Sequence, residues 1–209
     1  MNGSPDEFSF AAAWARRRGL ALSLAALAVA ACIFLFPPAK AACGCVFLFG
    51  LIGAALIDAD HMIIPDIFTV GLAAAGVALS LLVPALHGPG AFFPLACLRS
   101  GAAALLGLLI GSAIALWIGI VAELVLDREA LGFGDVKLLG AIGAFCGWRG
   151  AVFALFGGAL LGAVVCAIRA LRLSAPFPFG PMLAAAAAGY FLYLHHWVDR
   201  YLTQYLVFF

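Results

Sequence analysis

The stretch "RSGAAALLGLLIGSAIALWIGIVAELVL", Arg99 to Leu126, runs for 28 residues with a single acidic residue, Glu123, inside it. A helix crosses the hydrocarbon core of a bilayer with about 20 apolar residues, so this one has length to spare for tilt or projection. The chain on either side repeats the pattern. Spans are expected over Gly19–Pro37, Ala41–Asp58, Ile67–His87, Asp135–Trp148, Gly150–Leu171 and Pro181–Trp197. The breaks fall at "FPPAK", "HGPG", "GWRG" and "SAPFPFGP", where proline and glycine end helices. Composition agrees. Of 209 residues 67% are hydrophobic and 10% charged, against about 25% charged in a soluble domain. The expected fold is therefore an all-α polytopic membrane protein, a bundle of six to seven transmembrane helices. It divides into a cytoplasmic stub (1–18), a membrane domain (19–197) and a tail (198–209).

Other function classes drop out quickly. A net charge of +1 with no basic tract gives no reason to expect a nucleic-acid partner. The six cysteines form no C-x-x-C pair, so no zinc-ribbon site is expected and they read as small apolar residues in helices. No cofactor or metal is expected. Arg16, Arg17 and Arg18 before the first apolar run resemble a signal-peptide start, but the run reaches spanning length and reads as a true span.

Orientation follows from the basic residues. With the N-terminus inside, Arg16, Arg17, Arg18, Arg128, Lys137, Arg169 and Arg172 are cytoplasmic, and Lys40, Arg99, Arg149 and Arg200 lie opposite. Two complete crossings separate Asp58, which ends the second span, from Asp135, which opens the fifth. Both carboxylates therefore fall on one face, the cytoplasmic one in this orientation. The pairs Gly107-x-x-x-Gly111 and Gly158-x-x-x-Gly162 predict close helix packing.

Ionisable side chains at membrane depth are costly and usually functional. Asp127 and Asp66 suit solvated or helix-start positions. Asp58 is reached directly from "GLIGAALI" with no polar residue before it. Asp135 lies 13 residues before Trp148, about 20 Å of helix, within a core roughly 30 Å thick, and so is expected below the surface. Two carboxylates in one such site share a proton. The ionised member can then take a proton from water while the other polarises a carbonyl.

Here the residues resemble a known family. "GFGD", Gly132–Asp135, matches the G-x-G-D motif of intramembrane aspartic proteases, and "GFGDVKLLGAIGAFCGW" is similar to the prepilin peptidases. "IDADHMIIPD", Ile57–Asp66, resembles their first-aspartate motif, and "PFGPML", Pro178–Leu183, their late Pro-Phe-Gly-Pro segment. The resemblance covers roughly residues 41–193. It implies an Asp58/Asp135 catalytic dyad, with Gly132, Phe133 and Gly134 shaping the loop that presents Asp135. Pro65, Pro178, Gly180 and Pro181 would shape neighbouring turns, although Pro181 also suits a plain helix entry. Asp60, His61, Asp66 and Lys137 would be candidates to contact substrate, with a solvated loop position as the alternative for His61 and a snorkelling anchor for Lys137. The implied substrate is a prepilin or pseudopilin cut at the cytoplasmic boundary. The implied location is the bacterial cytoplasmic (inner) membrane, multi-pass, with the active site facing the cytoplasm. Longer members carry two C-x-x-C pairs linked to N-methylation. None is present here, so a peptidase-only form without methyltransferase activity is expected. The competing reading is a proton-coupled membrane transporter using the same paired acids. The absence of internal repeats and the three ordered motifs weigh against it.

Overall fold

The computed structural model describes residues 18–87, 92–127, 131–170, 178–198 and 200. The basic stub through Arg17, the tip of "HGPG", Arg128, Arg172, the first half of "SAPFPFGP" and the tail from 201 lie outside the described residues. Among these residues six α-helices follow one another: α1 (Arg18–Leu35), α2 (Pro38–His61), α3 (Leu72–Leu82), α4 (Phe93–Leu126), α5 (Phe133–Ala170) and α6 (Gly180–Gly189). A π-helical turn, Ile67–Gly71, leads into α3, a 3-10 turn, Pro84–Leu86, follows it, and a second π turn, Tyr190–Leu194, continues α6. No strand occurs among the described residues. Proline opens α2, α4 and α6 within the first two positions, where its missing N–H has no helical partner to lose.

Among the described residues, four helices, Arg18–Leu35, Pro38–His61, Phe93–Leu126 and Phe133–Ile168, are long and apolar enough to cross a membrane. The protein is thus an all-α, multi-pass membrane protein. The expected fifth and sixth spans are the two arms of α5. The break read at "GWRG" shrinks to one residue, Gly147, whose backbone (φ 69°, ψ 177°) leaves helical geometry in a region that glycine tolerates. Among the boundaries that differ from expectation, two have a visible cause. The fourth span starts earlier, at Phe93, because Pro94 initiates it. The third ends at Leu82, where Val83 adopts φ −126° and Pro84 starts the 3-10 turn.

The core forms where α2, α5 and α6 meet. Phe47 stacks on Phe145 at 4.7 Å and tilts against Phe191 at 5.3 Å, with Leu51, Leu138, Leu139 and Ile142 buried around them. Helices α4 and α5 touch backbone to backbone. A Cβ on Gly107 would run into the carbonyl of Gly143, and one on Gly143 into that of Gly107. The Gly107-x-x-x-Gly111 stripe thus packs as its spacing predicts, and the structure supplies its partner. Gly158 does the same against the Leu183 backbone of α6, where a Cβ would lie 3.1 Å from Cα. The outer surface is apolar too, with Leu109, Trp117 and Leu124 exposed, as lipid contact allows. All six cysteines are unpaired. Cys32 and Cys43 are buried as expected, whereas Cys166 is exposed on the second arm of α5.

Candidate active site

Asp58 lies in the last turn of α2 and is only 6% exposed. A carboxylate that deep requires a partner, and α6 provides it. The backbone N–H of Gly180, the first residue of α6, donates to Asp58 Oδ2 at 2.9 Å. A helix N-terminus has unsatisfied N–H groups and the positive end of the helix dipole, which suits an anion. The approach requires glycine, since a Cβ at position 180 would lie 2.6 Å from Oδ2 and 3.0 Å from Cγ. The "PFGP" segment therefore does more than open a span: its glycine closes onto a buried aspartate 122 residues earlier in the chain.

Asp135 occupies the first turn of α5. Its own N–H bonds to Gly132 O at 3.0 Å, and the Val136 N–H reaches the same oxygen at 3.4 Å. The expectation that Gly132, Phe133 and Gly134 form a loop presenting Asp135 is corrected here. Helix α5 begins at Phe133, so only Leu131 and Gly132 among the described residues precede it. Neither motif glycine has a positive φ. The residues before Asp135 cap a helix, and the carboxylate again sits at a helix N-terminus. Asp135 is half-buried and within electrostatic reach of Asp58. Phe133 is exposed.

The segment after Asp58 lies along the start of α5. Helix α2 is capped by Met62, a non-glycine residue in the left-handed region (φ 55°) whose N–H bonds to Asp58 O at 2.8 Å. Ile64, which the sequence did not single out, covers Gly134, where a Cβ would lie 3.3 Å away. Beyond Pro65, Asp66 precedes the π turn, and Lys137 Nζ meets its Oδ1 at 2.6 Å. Lys137 also lies over the Phe133 ring at 5.2 Å. Two residues expected as separate substrate contacts are thus paired with each other. Asp60 and His61 end α2 beside Asp58, both half-buried. Pro178 precedes α6, and Pro181 lies in its first turn. The motifs from three distant stretches therefore converge at one end of the bundle. Among the described residues, no group of three His, Cys, Asp or Glu side chains is placed to hold a metal ion.

Residues 45–168, more than half of the chain, match the type IV leader peptidase family. The chain belongs to that family. Among curated proteins it is 33% identical over 176 residues to a prepilin leader peptidase/N-methyltransferase of Dichelobacter nodosus, covering 82% of this chain and 56% of that protein. A protein of the same description from Pseudomonas aeruginosa is 33% identical over 165 residues, covering 77% of this chain and 51% of the relative. One from Aeromonas hydrophila is 33% identical over 190 residues, covering 88% and 61%. The chain thus spans between half and about three fifths of the length of these relatives. No solved structure matches it.

Proposed function

We propose that this protein is an intramembrane aspartic endopeptidase that removes the leader from type IV prepilins or pseudopilins, with Asp58 and Asp135 as its catalytic pair. The observation that carries the reading is the convergence of two acids from different helices at one end of the bundle, each at a helix N-terminus. The family membership and the names of the curated relatives support the substrate class.

The chemistry follows from the arrangement. Asp58 is fixed by the Gly180 N–H, and its second oxygen is left for a water molecule. Asp135 faces it from the start of α5. One carboxylate takes a proton from water as it attacks the scissile carbonyl, and the other donates a proton to the carbonyl oxygen. As the tetrahedral intermediate collapses, one carboxyl gives its proton to the leaving amine while the other carboxylate takes one from a hydroxyl of the intermediate, so the pair again holds a single proton. Both acids stand where membrane-crossing helices begin or end, a height suited to cutting where a basic leader gives way to an apolar segment. The positive-inside count supports a cytoplasmic orientation for that end. The proposal extends to the peptidase activity alone.

The test is co-expression with a tagged prepilin, following leader removal by gel shift. Asp58→Asn and Asp135→Asn should each abolish the shift while the protein still inserts. Processing that persists in either variant refutes the dyad. Intact processing by both, together with proton-dependent solute uptake lost in both, would favour the transporter.

A further inference from the structure

At the end of the bundle away from the aspartates is a cavity of about 750 Å³ that the peptidase reading does not use. Its lining brings together Lys40, His87, Arg99, Arg149, His195 and His196, from five separate stretches of chain. The described residues lining it include no carboxylate. Helix rise separates it from the acids: Lys40 is 18 residues from Asp58 along α2, about 27 Å at 1.5 Å per residue. Gly147, also in the lining, is 12 residues from Asp135, about 18 Å along the first arm of α5.

Three features make this a built site. Ser100, one helical position after Arg99, is only 3% exposed and lines the cavity, yet its Oγ has no hydrogen-bond partner. Such an orphaned hydroxyl calls for an acceptor or donor from outside the chain. The break at Gly147 turns α5 at the cavity wall, and the carbonyl of Ala144 just before it is taken by His87 Nε2 at 3.1 Å. Aromatic rings flank the cationic chains, with Lys40 Nζ 4.9 Å from the Phe36 ring and Arg149 Cζ 5.6 Å from that of Trp148. Trp148 and Trp197 are exposed, as aromatic residues at a bilayer interface are.

We infer that this cavity binds a phosphate-bearing anion of the size of a phospholipid headgroup. Arg99 and Arg149 would grip the phosphate, and Ser100 Oγ would donate to one of its oxygens. Arginine's planar fork matches phosphate oxygens, and basic pockets between membrane helices hold anionic headgroups. The volume lies in the range of small-molecule sites and exceeds what inorganic phosphate alone would fill.

The test uses the full chain in detergent, with native mass spectrometry after addition of phosphatidylglycerol or, for comparison, zwitterionic phosphatidylcholine. Wild type should retain phosphatidylglycerol preferentially. The double variant Arg99→Gln/Arg149→Gln should lower that retention on the order of tenfold, and Lys40→Gln, on a different helix, should lower it by less. Glycerol 3-phosphate separates the sources. Displacement of the lipid at millimolar concentration identifies a soluble phosphate ester as a competent occupant, and resistance identifies the lipid itself. Equal retention of both lipids by wild type, or a double variant and a Lys40→Gln protein that both bind like wild type, overturns the inference.

Discussion

The contact most open to a decisive test is Gly180 against Asp58. Replacing Gly180 by alanine adds one carbon 2.6 Å from Asp58 Oδ2 and 3.0 Å from Cγ. Non-bonded atoms settle near about 3.5 Å, so either the carboxylate or the start of α6 must move by nearly 1 Å. The N–H bond from Gly180 would lengthen or break at the same time. Hydrogen bonds to charged groups contribute about 1.5–3 kcal/mol, and a misplacement of about 1 Å at a reacting group can cost about 100-fold in rate. Leader cleavage by Gly180→Ala should therefore fall by about two orders of magnitude, measured as initial rates on a purified prepilin in detergent. Gly189→Ala is the control, in the same helix. A Cβ there meets nothing within 4 Å, and alanine favours helix by up to about 1 kcal/mol, so its rate should match wild type. The reasoning is refuted if Gly180→Ala cleaves at the wild-type rate, or if Gly189→Ala loses as much.

Further expectations address the frame around the acids. Gly143→Ala would push a methyl group into the Gly107 backbone of α4. Overpacking against a main chain that cannot rotate away should cost at least about 1–3 kcal/mol, seen as a lower midpoint of denaturant unfolding in detergent. Severing the Asp66–Lys137 pair with Lys137→Met should cost under about 1 kcal/mol, because both groups keep some contact with solvent. A double-mutant cycle with Asp66→Asn should recover a coupling of that size, reduced by salt. At Met62, the left-handed backbone is strained for any residue with a Cβ, so Met62→Gly should stabilise by up to about 1 kcal/mol and Met62→Val should destabilise, by the same unfolding assay.

Hydropathy made the helices legible because bilayer length is written directly into runs such as Arg99–Leu126. The pairing of helices was only half legible. Gly107-x-x-x-Gly111 announced a close contact, but nothing in its spacing named Gly143 as the partner. The break near Gly147 was visible as turn chemistry, yet whether it would be a loop or a single bent residue depended on packing at both ends of α5. The π turns at Ile67–Gly71 and Tyr190–Leu194 left no periodic signal, since one extra residue per turn is absorbed without changing an apolar run. At the candidate site, topology put Asp58 and Asp135 on one face by span counting. The Gly180 amide could not be read that way, because a backbone donor looks the same at every position. The cations of the cavity away from the acids read in the sequence as orientation signals, one per loop. Only the bundle gathers Lys40, Arg99 and Arg149 around one volume.

The strip from Asp58 to Asp66 is matched to α5 at three points, through the two acids, through Ile64 over Gly134 and through Asp66 on Lys137. Such a strip acts as a ruler. Its nine residues set how far apart the end of α2 and the start of α3 may stand while the acids stay opposed. Adding one residue there would keep every side chain, yet leave at most two of the three matches in register. In this part of the molecule, length is as strict a requirement as residue identity.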